Sequence, residues 1–275
     1  MDVFVTLSIA VIIFVGILAY IIKLRLIGYQ SFERIEQQGG SRLVSKSIME
    51  MGYWWFQPMG EYLIRRNFTP NQISWTSLGC GFIAGLYLCF GLFGFAATFL
   101  LLSAILDALD GYVANKTNQT SASGEILDSS LDRYVDFFIL AGLLIFYRES
   151  LTLTVLILFA LLGSFMISYS SAKAQALNVK PPRGSMKRSD RLVYLISGAY
   201  FTSLSIAFIE GPIDQGGLGF PMILVILLIA VLSNISAIQR LKALAVSVET
   251  KQSKDNDNSN KNELDSVELN LDKNL

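Results

Sequence analysis

The stretch Asp107 to Asp136 reads DALDGYVANKTNQTSASGEILDSSLDRYVD. It holds five aspartates against two basic residues, Lys116 and Arg133, and lies between two of the most apolar segments of the chain. Asp107 and Asp110 are three apart; Asp128 and Asp132 are four apart. On a helix each spacing puts both carboxylates on one face. The first pair closes one apolar run and the second opens the next. An antiparallel helix hairpin would therefore bring both pairs to one depth, face to face. Gly111 and Ala114 continue the first face with small side chains, and Gly124 does the same one turn before Asp128.

Around this stretch the chain is apolar. Of 275 residues, 52% are hydrophobic and 16% charged, where soluble domains carry about 25% charged residues. The apolar residues come in blocks near the roughly 20 residues that a membrane helix needs. This predicts an all-α integral membrane protein. Seven spans are expected: about Val3–Ile22, Ile73–Phe93, Phe95–Tyr112, Leu131–Tyr147, Leu151–Tyr169, Leu192–Ile209 and Leu218–Ile238. The first run is long for a signal peptide, carries Asp2 instead of a basic leader and is followed by no small-residue cleavage site, so it reads as an uncleaved anchor.

Loop charge sets an expected orientation. Lys23, Arg25, Arg34, Arg42, Lys46, Arg65 and Arg66 separate the first two spans, and Lys173, Lys180, Arg183, Lys187, Arg188 and Arg191 separate the fifth and sixth. The opposite loops hold one basic residue, Arg148, with Glu149, Glu210 and Asp214. The bias places the aspartates at the cytoplasmic mouth of the bundle. Residues 41–70 mix aromatic and basic side chains, as an amphipathic segment on the inner membrane face would. The expected division is an N-terminal anchor and linker (1–40), that interfacial segment (41–70), a six-span core (71–242) and a polar tail (243–275). From Ser247 the tail has no apolar periodicity and is expected to be disordered.

The chemistry available is restricted. The absence of histidine excludes a histidine base, a histidine-containing triad and histidine metal ligands. Cys80 and Cys89 sit inside one apolar run and make no ligand pattern. Carboxylates inside a membrane bundle mark function by default, and burying four of them bare is costly. Hard divalent cations are the natural counter-ions, since all-oxygen ligand sets suit Mg²⁺, Mn²⁺ or Ca²⁺. Two such ions side by side would clamp the attacking and leaving oxygens of a phosphoryl transfer. Solvated helix ends would account for one or two of these aspartates, not four at matched spacing. Asp136 extends the second stripe one turn deeper, with Arg133 as a neighbouring partner.

At these residues the sequence resembles the CDP-alcohol phosphatidyltransferase family, whose pattern is D-x2-D-G-x2-A-R-x8-G-x3-D-x3-D. Asp107, Asp110, Gly111, Ala114, Gly124, Asp128 and Asp132 fit it, while Asn115 stands where the family has Arg. TPNQIS, with Pro70 and Asn71, looks like the family's entry to its first core span. LDSSLDRYVD and GSMKRSDR resemble the branch that makes inositol-phosphate lipids, the phosphatidylinositol-phosphate and archaetidylinositol-phosphate synthases. SYSSAKAQA departs from that branch's S-Y-x-R-A-R-A-E at Ser171, Lys173 and Gln175.

The resemblance implies a six-helix catalytic bundle carrying one extra N-terminal transmembrane anchor. It implies an enzyme that moves a phosphatidyl group from a CDP-linked lipid to an alcohol, inositol phosphate being one candidate, with release of CMP. Asp107, Asp110, Asp128 and Asp132 would hold two Mg²⁺ or Mn²⁺ ions, and Asp132 would also be the general base. Pro70, Asn71, Gly111, Ala114, Asn115, Ser121 and Gly124 would contact the donor; Lys173, Arg188 and Arg191 would hold an acceptor phosphate. Asn115 brings no charge, so weaker donor binding than in an Arg-bearing relative is expected. Glycerol phosphate, serine or an amino-alcohol are the alternative acceptors.

The expected setting is a bacterial or archaeal cytoplasmic membrane, with membrane lipids as partners and nucleic acid not among them. Family members are often homodimers, and Gly81 and Gly85 offer a small-residue face for a second copy. Two other classes compete: a cation transporter, against which stand the lack of an inverted repeat and of acids spread through the bilayer depth, and an inactive relative with a structural role.

Overall fold

The capping residues written into the sequence decide where the helices begin. Thr69 accepts from the backbone N–H of Gln72 at 3.3 Å while Gln72 accepts from that of Thr69 at 3.0 Å, with Pro70 at the first helical position. This reciprocal box satisfies two donors that a helix start leaves orphaned. Ser121 and Ser150 cap the helices that follow them. Asn67, Asn118 and Asn178, with φ of 59°, 54° and 50°, close the helices before them in the left-handed region that asparagine tolerates.

In this computed structural model, residues 1–27, 46–179, 184–211 and 219–272 are described, the side chains of 46–49, 53 and 254–272 excepted. They form α1 (Asp2–Ile27), α2 (Lys46–Arg65), α3 (Pro70–Cys89), α4 (Phe93–Lys116), α5 (Ala122–Phe146), α6 (Leu151–Ala176), α7 (Arg188–Ser205) and α8 (Phe220–Asp272). A π-helical turn, Ile206–Glu210, extends α7. Of the cations and acids used to orient the chain, Arg34, Arg42, Lys180, Arg183 and Asp214 lie outside the described residues.

Among the described residues, five helices are long and apolar enough to cross a membrane: α1, α4, α6, α7 with its π turn, and α8. The other two expected spans are the 20-residue α3 and the 25-residue α5. The first fifteen residues of α5 carry Glu125, Asp128, Asp132, Arg133 and Asp136, which keeps its apolar stretch short. The last helix, α8, runs to Asp272, past Ser247 where the polar tail begins. No glycine or proline follows Pro221 in the sequence, so no residue type that breaks a helix interrupts it.

The Asp-bearing helices α4 and α5 do not pack on each other as a hairpin would. Each packs on α3, which stands between them as a wedge. Toward α4, Ser77 donates to the carbonyl of Ser103 at 2.8 Å and Ser103 donates to that of Ser77 at 2.9 Å. Toward α5, glycine sets the distance. A Cβ on Gly81 would strike Val135, one on Gly85 the backbone carbonyl of Phe138, and one on Gly142 the carbonyl of Gly85. Gly81 and Gly85 are thus spent on contacts within the chain, which corrects the suggestion that they form a dimer face. The wedge leaves a gap between the cytoplasm-facing ends of α4 and α5 in the expected orientation, and the aspartates line it.

The N-terminal helix is docked on the core by polar contacts. Leu92 gives α4 no side-chain cap. Asp2 caps it instead, accepting from the backbone N–H groups of Gly94 and Phe95 at 2.9 Å each. Its charge also suits the positive end of the α4 dipole. Ser203 of α7 donates to Asp2 at 2.7 Å, and Thr6 donates to Ser203 at 2.9 Å. At the other end of α1, Gly16 makes room for Trp55 of α2, and Lys23 lies over the rings of Tyr20 and Trp54. Gly60 of α2 in turn seats the ring of Tyr112, next to Gly111.

Candidate active site

Asp107 and Asp110 end up on the last turns of α4, and Asp128 and Asp132 on the first half of α5. The structure brings three of them together. Carboxylate oxygens of Asp107, Asp110 and Asp128 all lie within 4.8 Å of one another. Two unit charges at that distance repel by at least about 3 kcal/mol at an effective dielectric near 20. A cation among them would relieve that repulsion. The donor set consists of hard carboxylate oxygens with neither thiol nor imidazole, and this fits Mg²⁺ or Mn²⁺.

Asp110 is buried and accepts from Ser74 at 2.6 Å. Ser74 stands one turn after Pro70 on α3, so the wedge orients the deepest carboxylate. The fourth, Asp132, is held by a residue from α7. The guanidinium of Arg188 reaches Asp132 at 2.8 Å and Asp107 at 3.1 Å, bridging α5 and α4. The matching cation comes from a helix that only the fold brings near.

Beside the carboxylates opens a cavity of ≈ 490 Å³. Pro70, Asn71, Gly111, Ala114, Asn115, Ser121 and Gly124 all line it, together with Asp110 and Asp128. Its volume falls in the range of small-molecule sites. Ser74, Gln119 and Thr120 line it as well, though no sequence motif singled them out. The Asn115 amide donates to the Gly111 carbonyl one turn back, at 2.6 Å, and the Ser121 hydroxyl accepts from the N–H of Gly124 at 3.1 Å.

The three expected acceptor-side cations separate. Lys173 is exposed on the last turn of α6. Arg188 is on the carboxylates. Arg191 is 2% exposed and pairs with Asp136 at 2.6 Å. Asp136 therefore meets Arg191 of α7, and Arg133 turns instead to the carbonyl of Ser129 on its own helix.

The motif, the carboxylate cluster and the cavity agree with a comparison across known families. A family model described as CDP-alcohol phosphatidyltransferase matches residues 67–248. The chain belongs to that family. A phosphatidylinositol phosphate synthase of Mycobacteroides abscessus is 29% identical over 196 residues, covering 69% of this chain and 83% of the relative. An archaetidylinositol phosphate synthase of Pyrococcus horikoshii is 29% identical over 187 residues, covering 66% and 86%. Among solved structures, the phosphatidylinositol phosphate synthase of Mycobacterium tuberculosis with CDP-DAG bound matches with a TM-score of 0.60 and 26% identity, over 68% of this chain and 92% of that one. The same enzyme in complex with manganese and citrate matches with a TM-score of 0.59 and 25% identity, over 69% and 88%. This CDP-alcohol phosphatidyltransferase is an all-α integral membrane enzyme of phospholipid biosynthesis, of a family that uses divalent metal, and it carries an aspartate cluster able to bind such an ion.

Proposed function

We propose that the enzyme transfers the phosphatidyl group of CDP-diacylglycerol to inositol phosphate. The supporting observation is one cavity that gathers all seven expected donor-contact residues against Asp110 and Asp128. The acceptor hydroxyl oxygen bonds to the lipid-side phosphorus, the pyrophosphate P–O bond to CMP breaks, and the hydroxyl proton passes to Asp132. Asp107, Asp110, Asp128 and Asp132 would hold two divalent ions, which neutralise the charge that grows on the departing CMP phosphate.

The chain's own residues do the rest. Gly111 and Ala114 keep the α4 wall low so that the donor nucleotide lies close to the backbone. Asn71, Asn115 and Ser121 offer hydrogen bonds to it. Ser74 fixes Asp110. Arg188 holds Asp132 and Asp107 in place and, once the carboxylates turn to their ligands, is free for the acceptor phosphate, which arginine suits. Lys173, exposed on the last turn of α6, is free to meet the acceptor in solvent. Arg191 reaches it through Asp136, as a positioning residue. Arg65, Arg66, Lys173 and Lys187 cluster at the same end of the bundle as the site, which supports a cytoplasmic active site.

The test is purified enzyme with labelled CDP-diacylglycerol, Mg²⁺ or Mn²⁺, and a panel of inositol phosphate, glycerol phosphate, serine and amino-alcohols. CMP release with inositol phosphate alone is expected; release with another acceptor alone would overturn the assignment. Asn115→Arg is expected to lower the KM for the donor by roughly tenfold, since an arginine on phosphate adds a charge-assisted bond. An unchanged or raised donor KM would count against the role given to Asn115.

A further inference from the structure

Neither α1 nor α2 carries a residue that lines the cavity or belongs to the carboxylate cluster. Both nevertheless reach α4, the helix that bears Asp107 and Asp110, and they reach it at opposite ends. At its start, Asp2 of α1 accepts from the N–H groups of Gly94 and Phe95. At its last turns, Gly60 of α2 leaves room for Tyr112 and Leu109, and a Cβ there would strike the Tyr112 ring. Leu109 and Tyr112 are buried, and in the chain they flank Asp110 and Gly111.

What joins the two ends is α1 itself. It does not pack along its length. Thr6, Gly16 and Tyr20 are buried, whereas Ala10 through Val15 are all exposed. A helix lying flat on a protein surface buries a residue in nearly every turn of 3.6. Six exposed residues in a row mean that α1 stands off the core midway and is fastened near its ends. One fastening is polar, made by Asp2, Thr6 and Ser203. The other is a seat: Gly16 has no Cβ, and the indole of Trp55 occupies the place where one would be. Next to it, Tyr20 meets Trp54 with ring centroids 5.7 Å apart. Contacts thus run from one end of α4 along α1, through Trp55 and α2, to the other end of α4. This path matters because α4 and α5 do not pack on each other. The level of Asp107 and Asp110 against Asp128 is set by what holds each helix separately.

We propose that α1 and α2 form a brace on α4, and that Trp55, seated at Gly16, is a positioning residue that keeps Asp107 and Asp110 level with Asp128. This rests on the aspartates binding divalent metal, as proposed above. Gly16→Leu makes α1 a better helix but fills the seat. It is expected to weaken Mn²⁺ binding about tenfold and to lower kcat about ten- to a hundred-fold, the scale for a misplacement near 1 Å. Gly16→Leu/Trp55→Ala moves the bulk from α2 to α1 and is expected to return both to within about threefold of wild type. Backbone hydrogen exchange of metal-free enzyme reads the brace without metal or turnover. Residues 109–114 are expected to exchange faster in Gly16→Leu, with α3 unchanged, and to recover in the double variant. Wild-type exchange at 109–114 in Gly16→Leu, or a double variant as impaired as the single one, overturns the brace. Faster exchange with Mn²⁺ affinity unchanged overturns the positioning role of Trp55. If wild-type enzyme binds no Mn²⁺, the metal reading falls, and the exchange result still decides the brace. If Gly16→Leu does not fold, Trp55→Ala takes its place: faster exchange at 109–114 and weaker Mn²⁺ binding are expected, and wild-type behaviour in either overturns the proposal.

Discussion

Asp128→Asn is expected to lower kcat by about a thousand-fold or more, on the order of 4 kcal/mol of transition-state stabilisation. The substitution is nearly isosteric and removes one negative charge from a set whose oxygens lie within 4.8 Å of one another. Asp128 is half-buried at the cavity wall, so the fold tolerates an amide there and the loss falls on chemistry. The same substitution at Asp107 also removes one arm of the Arg188 bridge, and its effect is expected to be at least as large. Steady-state CMP release over a range of Mn²⁺ concentrations checks both. Excess metal is expected to recover part of the activity of Asp128→Asn, because the site loses affinity before it loses its shape. Activity within tenfold of wild type in either variant would show that these carboxylates do not hold the reacting group's counter-ions.

Asp136→Ala is expected to destabilise the folded enzyme by roughly 3–5 kcal/mol, the cost of leaving a buried charge without its partner. Arg191 is 2% exposed, its Nη2 is 2.6 Å from Asp136, and its Nη1 has no hydrogen-bond partner. Thermal unfolding in detergent measures the loss. Asp136→Ala/Arg191→Met is expected to be more stable than Asp136→Ala, since an apolar side chain of similar length fills the space without a charge to solvate. A single variant as stable as wild type would mean that water reaches Arg191 and that the pair is ornamental.

The carboxylate cluster is legible in the sequence because its geometry is local. Gaps of three and four residues on two helices fix the faces, and Ser121 marks where the second of those helices starts. Contacts between distant parts of the chain are not legible in this way. Arg188 and Asp107 are 81 positions apart, Arg191 and Asp136 55, and Arg240 and Ser171 69. In the sequence Arg188 and Arg191 read as loop charge and as candidate phosphate ligands; their carboxylate partners show only once α7 is docked. Local spacing even misleads: Arg133, three residues before Asp136, looks like its partner but faces its own helix carbonyl.

The glycines of α3 show a related limit. Gly81 and Gly85 announce a close helix approach, and only the packing reveals that the neighbour is α5. That choice matters for function, because a wedge between α4 and α5 is what opens the carboxylate-lined gap. The tail differs for another reason. Its polar composition argues against a buried core, but a helix needs no core where nothing breaks the chain's local preference, and α8 carries on through it to Asp272.

Equilibrium Mn²⁺ binding, followed by loss of the free-ion paramagnetic resonance signal, tests the centre most directly. Wild-type enzyme is expected to take up two ions per chain, and Asp107→Asn/Asp128→Asn at most one, with much weaker affinity. Wild-type enzyme that binds no Mn²⁺ at millimolar concentration, or a double variant that binds as wild type does, would contradict the account.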